Sequence, residues 1–142
     1  SKIDVTASTP TVIDVVTGLN GPTGIVLIGN YLYVSEVYGG KISKIDITAP
    51  TPAVVEVAIG LIAPRGIASV GNDLFIAEFG ADKISKINLT GSLPTPVDVV
   101  IGVDGPQGLL VEGNDLFISA SGDGKVLRLD FTTLSVNNSR DV

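Results

Sequence analysis

Between positions 64 and 101 the apolar residues fall in four short runs, and their periodicity is two rather than 3.6. Gly66-Ile-Ala-Ser-Val70 is a small and apolar run that opens straight after Pro64. Asp73-Leu-Phe-Ile-Ala-Glu78 sends Leu74 and Ile76 to one face and Phe75 to the other. Lys83-Ile-Ser-Lys-Ile-Asn-Leu-Thr90 puts Ile84 and Lys86 on one face, with Ile87 and Leu89 opposite. Val97-Asp-Val-Val-Ile101 follows Pro94 and Pro96, which cannot donate to a ladder and so suit a boundary or an edge. Four consecutive antiparallel strands are predicted, the fourth outermost. Gly71-Asn72 separates the first two as a two-residue hairpin turn, with positive φ expected at its central positions. A loop over Phe79-Gly-Ala-Asp82 joins the second strand to the third. Both faces of the resulting sheet are apolar, so each face requires a neighbour to pack on.

The neighbours are copies of the same pattern. Pro22-Thr-Gly24 recurs as Pro64-Arg-Gly66 and Pro106-Gln-Gly108, Gly29-Asn30 as Gly71-Asn72 and Gly113-Asn114, and Lys41-Ile42 as Lys83-Ile84 and Lys125-Val126. Residues 1–42 match 43–84 at 21 of 42 positions, and 43–84 match 85–126 at 19 of 42, without insertion or deletion. A partial repeat, 127–142, restates Ser1-Lys-Ile-Asp4 as Leu127-Arg-Leu-Asp130. A period of this length built from short strands is that of a β-propeller blade. The expectation is an all-β chain forming one propeller segment over residues 1–142, with four-stranded antiparallel blades, about three per chain.

Counting strands from the channel outward, the sequence supplies a leading third and fourth strand (1–6 and 11–17), two full blades, and a last blade ending with its third strand near Thr132. Such an arc exposes two apolar faces and unpaired strand edges. The expected closure is a homodimer in which two copies complete six blades, the outer strand near Val12-Ile-Asp-Val-Val16 closing the last blade of the second copy. A fragment of a longer propeller protein is the alternative, in keeping with a chain that opens in mid-repeat without an initiator methionine.

The run from Pro64 to Glu78, followed by Lys83-Ile-Ser-Lys-Ile, resembles the NHL repeat: Pro-x-Gly-Ile-Ala, Gly-Asn, an aromatic strand ending in an acid, then a basic residue and Ile. It is also similar to the YWTD repeat. Either resemblance implies a six-bladed ring and covers the whole chain. The departure is at the strand-ending acid, Asp in both families but Glu36, Glu78 and Ala120 here. The resemblance implies a fold more than a function, because propellers host binding modules and enzymes alike.

Charge narrows the partners. Net charge is −6, and six of the nine basic residues form one recurring pair, Lys41/Lys44, Lys83/Lys86 and Lys125/Arg128. These are the polar side of one strand per blade rather than a clustered basic face, so no nucleic acid is expected as partner. No apolar stretch approaches ~18 residues, and no membrane partner is expected. Cysteine is absent, which suits bacterial secreted and cytosolic chains alike; a secreted or extracellular location is the expectation. Of two glycosylation sequons, Asn88-Leu-Thr90 and Asn137-Asn-Ser139, the first merely replaces the Asp46 of the neighbouring copy, and both are read as chance.

Candidate sites follow from the variable positions. Thr23, Arg65 and Gln107 fill the middle of each Pro-x-Gly, in loops that feed the innermost strand and so point to the channel rim. They are either solvated turn positions or ligand contacts, with Arg65 as an anchor for carboxylate or phosphate. Tyr38 and Phe79 lie in the connecting loops, either packed between blades or exposed to stack on a sugar or peptide. Glu36 and Glu78 end the second strands, where they either cap backbone amides of their own loop or bind Ca²⁺, which wants about six to eight oxygens. The Gly-rich loop 120–124 with Asp123 is ordinary turn chemistry.

With neither His nor Cys, the usual base, metal ligand and thiol nucleophile are missing. No catalytic residue and no cofactor is assigned. The expected function is a non-enzymatic scaffold or binding module presenting loops around a central channel to a small ligand, glycan or protein. The alternative is a metal-assisted hydrolase or lactonase of the six-bladed kind, using the ring acids.

Overall fold

The computed structural model describes residues 2–3, 11–90, 94–132 and 135–137. Three four-stranded antiparallel sheets follow one another along the chain: β3 (Pro22–Ile28), β4 (Tyr31–Glu36), β5 (Lys41–Asp46) and β6 (Val54–Ala58); β7 (Pro64–Val70), β8 (Asp73–Glu78), β9 (Lys83–Asn88) and β10 (Val97–Ile101); and β11 (Pro106–Glu112), β12 (Asp115–Ala120), β13 (Lys125–Asp130) and β14 (Ser135–Asn137). Each sheet is one blade. Between blades, β7 lies against both β3 and β11, which makes the first strand of each blade the innermost.

The alternation assigned from sequence sorts the side chains as expected. Leu74, Ile76 and Ile87 are buried with Tyr33 and Ile42 of blade one, whereas Phe75, Ala77 and Ile84 are buried with Leu116 and Leu129 of blade three. Blade two is thus apolar on both faces because each face is an interface. At roughly 1.5–3 kcal/mol for each fully buried large aliphatic side chain, these two cores are the main source of stability.

The structure corrects several local expectations. Gly71 has φ +57 and Asn72 is not among the residues of positive φ, so the hairpin needs a left-handed residue only at its first central position, the pattern of a type II′ turn. The third strand stops at Asn88 rather than Thr90, because the Asn88 side-chain oxygen accepts a hydrogen bond from the Thr90 amide at 2.9 Å and turns the chain. The first strand begins at Pro64 rather than Gly66, with a bulge before Ile67.

At the ends of the arc the differences are larger. Blade three does not stop at its third strand: β14 pairs with β13 as Leu129↔Val136 and fills the fourth position from the same chain. The leading pair, β1 (Lys2–Ile3) and β2 (Val12–Ile13), has the register Lys2↔Ile13 and Ile3↔Val12. That is the Lys44↔Val55 and Ile45↔Val54 register of β5 and β6, one repeat earlier. It is therefore the outer half of a preceding blade, as the sequence count anticipated. Residues 4–10 and most of the segment after Thr132 lie outside the described residues, among them Asn138 and Ser139 of the second sequon.

Candidate functional site

The three Pro-x-Gly segments sit side by side on the innermost strands. The reason is steric. A Cβ added at Gly24 would lie 2.3 Å from the Arg65 carbonyl oxygen, and one at Gly66 would lie 2.3 Å from that of Gln107. Each glycine therefore lets the next blade's backbone come close, which aligns Thr23, Arg65 and Gln107 along the inner edge of the arc.

Their side chains do different things. The exposed Thr23 hydroxyl donates to the Gly21 carbonyl at 2.9 Å. The Gln107 amide reaches the Ser121 hydroxyl at 3.4 Å. Arg65 lies over the Phe79 ring, 4.3 Å from guanidinium carbon to centroid, and its Nε is buried without a hydrogen-bond partner in the structure. Arg65 and Phe79, which the sequence singled out separately, are thus one unit, a cation seated over an aromatic face. Phe79 is only partly exposed. Tyr38, by contrast, is 81% exposed and makes the tip of its loop.

Glu36 and Glu78 are both 2% exposed. Glu36 accepts from the Asn20 amide at 2.8 Å and from the Ser43 hydroxyl at 2.5 Å. Glu78 accepts from the Ile62 amide at 3.0 Å, with the Lys83 ammonium at 3.9 Å. Each carboxylate therefore ties the end of a second strand to the segment entering the first strand of its blade. Among the described residues no group of three His, Cys, Asp or Glu is placed to hold a metal ion.

The recurring basic residues face strand carboxylates: Lys83 reaches Asp98 at 2.9 Å, Lys41 reaches Glu56 at 3.0 Å, and Lys86 reaches Asp73 at 3.7 Å. The hydrogen bond that Lys83 donates to Asp98 outweighs desolvation and raises the Lys83 pKa, and the one that Lys41 donates to Glu56 does the same for Lys41.

One participant gave no signal in the sequence. The Ser35 hydroxyl accepts from the Gly24 amide at 2.8 Å and donates to the Arg65 carbonyl, bridging blades one and two. Its counterparts are Ala77 and Ser119, and a small residue in a strand carries no periodic mark.

No family model matches the chain, and no curated protein matches it in sequence. Solved structures do match. The chain is similar to virginiamycin B lyase from Staphylococcus aureus at 24% identity and TM-score 0.64, covering 82% of this chain and 40% of the lyase. It is similar to Kuenenia stuttgartiensis hydrazine synthase at 21% identity and TM-score 0.69, over 86% of this chain and 36% of that one. The computationally designed Ika4 protein matches at 13% identity and TM-score 0.65, over 89% and 74%. At these identities the likeness shows the fold, an all-β propeller-type array, and that fold carries enzymes and designed proteins alike. The chain spans about two fifths of the length of the lyase it matches.

Proposed function

We propose that the chain is an NHL-like propeller segment acting as a non-enzymatic scaffold or binding module, with two copies completing a ring of six blades. The inner edge formed by Thr23, Arg65 and Gln107 is its ligand-binding rim, and Tyr38 is an outlying aromatic contact for a glycan or peptide. The observation that carries this reading is the Arg65–Phe79 stack. A guanidinium already fixed on a ring loses little freedom on meeting a carboxylate or phosphate, so a small anionic ligand is the chemistry the rim favours.

Two facts support binding over catalysis. Glu36 and Glu78, the acids a metal-assisted hydrolase would use, are engaged with backbone amides. This chain also has no histidine, the commonest general base. The reading further holds that the protein needs no cofactor, is secreted or extracellular, and binds neither membranes nor nucleic acid.

The test is a melting-temperature screen of the purified chain against small carboxylates and inorganic phosphate, with parallel arms in Ca²⁺ and in EDTA. A ligand that binds only the native state raises the midpoint by mass action. Stabilisation by a carboxylate or phosphate is expected. Stabilisation by Ca²⁺ that EDTA reverses, without any response to anions, would favour the hydrolase reading instead.

A further inference from the structure

The packing between blades repeats with the sequence, and it stops in mid-pattern at blade three. Where Gly24 and Gly66 meet the next blade's carbonyl, Gly108 meets nothing beyond its own blade: an added Cβ there would touch only the Ser119 hydroxyl, at 3.2 Å. Ser119 stands two repeats after Ser35 and accepts from the Gly108 amide at 2.8 Å, as Ser35 does from Gly24. Ser35 goes on to donate to a carbonyl of the following blade. The apolar positions agree. Tyr33 and Phe75 are 7% and 3% exposed beneath the next blade, whereas their counterpart Phe117 is only half-buried and neighbouring Leu110 is 65% exposed. Gly108, Leu110, Phe117, Ser119 and Val126 line an open groove on this face.

Blade one is open on the opposite side. Ile25 is 62% exposed where its counterpart Ile67 is 6% exposed. Val15, Val16 and Leu19 form one wall of a groove whose other wall is Pro22, Thr23 and Ile25. In the next repeat Ala58 and Leu61, the counterparts of Val16 and Leu19, are buried in the core between blades one and two. The groove is thus the place of a missing inner strand pair, on the blade face that a preceding blade would cover.

We propose that the open face of blade three docks on the open face of blade one of a second copy of this chain. Ser119 donates to the carbonyl of the partner's Thr23, and Gly108 admits its close approach. Continuity with the two seams inside the chain identifies the occupant: within this molecule the face that blade three lacks a partner for is the kind of face that blade one leaves open. By its register the half-blade β1–β2 belongs to the blade that would precede blade one, the place the second copy takes. It holds by two residue pairs, while β13 pairs with β12 over six, so β1–β2 gives way. This inference rests on the self-associating reading above and assigns its surfaces.

Sedimentation velocity on the full chain tests it with two variants. Leu110→Glu changes an exposed side chain, and Gly108→Ala adds a methyl group that asks the lone chain only for a shift of a few tenths of an ångström at the Ser119 hydroxyl, 3.2 Å away. Wild type is expected at twice 14.6 kDa, each variant is expected to associate about tenfold or more weakly, and both are expected to keep the wild-type melting temperature. Gly66→Ala, whose methyl group meets the Gln107 carbonyl inside the chain, is expected to lose stability instead. Removing residues 1–13 is expected to leave the dimer intact or tighten it. A wild-type monomer would overturn self-association itself. A dimer indifferent to both variants would overturn only the assigned surfaces, and open-ended growth with concentration would overturn the closed pair.

Discussion

Arg65 is the one guanidinium outside the recurring basic pair and the tail's Arg140, and its replacement separates a binding role from a structural one. Arg65→Ala is expected to weaken a carboxylate or phosphate ligand by about 1–3 kcal/mol, the loss of a charge-assisted hydrogen bond, in isothermal titration. The melting temperature should change little. Unchanged affinity would remove Arg65 from the site, and a collapse in melting temperature would make the stack structural. Glu78 makes the opposite case: Glu78→Ala removes a buried acceptor from the Ile62 amide, and a loss of roughly 1.5–3 kcal/mol is expected in urea unfolding. Equal stability would mean that the carboxylate does not hold the loop. At this scale the sequence offered residue types without partners. Glu36 and Glu78 read as caps of their own loops in preference to metal ligands, and the structure supplies the capped amides from Asn20 and Ile62, in the segment that enters each blade. Arg65 and Phe79 lie on different segments of blade two, so no spacing rule joined them.

The strands were more legible than their ends. Alternation placed β8 and β10 at their observed limits, because burial on two faces leaves little freedom of register. Strand ends depend on short polar motifs that periodicity does not weigh. One such motif closes the third strand of every blade: Asp46 accepts from the Thr48 amide at 2.9 Å, Asn88 from Thr90 at 2.9 Å, and Asp130 from Thr132 at 2.9 Å. The Asn88-Leu-Thr90 sequon is thereby explained as a turn. The Thr48 hydroxyl and amide hold the Asp46 carboxyl below the usual carboxylate range, and those of Thr132 do the same for Asp130. A carboxyl whose pKa is lower folded than unfolded stabilises the fold above the unfolded value, near about 4, and that stabilisation is lost as pH falls through the folded value. Urea midpoints are therefore expected to fall as the medium is acidified below about pH 4. The fall should be shallower in an Asp46→Asn, Asp130→Asn double variant, which makes the turn as Asn88 already does. An identical acid dependence in the two proteins would contradict this role.

For the whole molecule, exact repetition made the architecture readable, since a step of 42 residues fixes blade length and order without any knowledge of contacts. It did not reveal the last strand. The partial repeat stops resembling its predecessors after Thr132, so β14 carries no copy of an earlier strand, and only pairing with β13 reveals it. With that position filled, closure through exchange of the strand near Val12 is no longer required, and packing of whole blade faces is the closure proposed in its place. Closure of three blades by a second copy into one body is decided by small-angle X-ray scattering on the purified chain across a dilution series. The predicted result is a forward-scattering mass of twice 14.6 kDa that persists on dilution, with the distance distribution of a compact ring. A mass of one chain, with the profile of an open arc at every concentration, would contradict it.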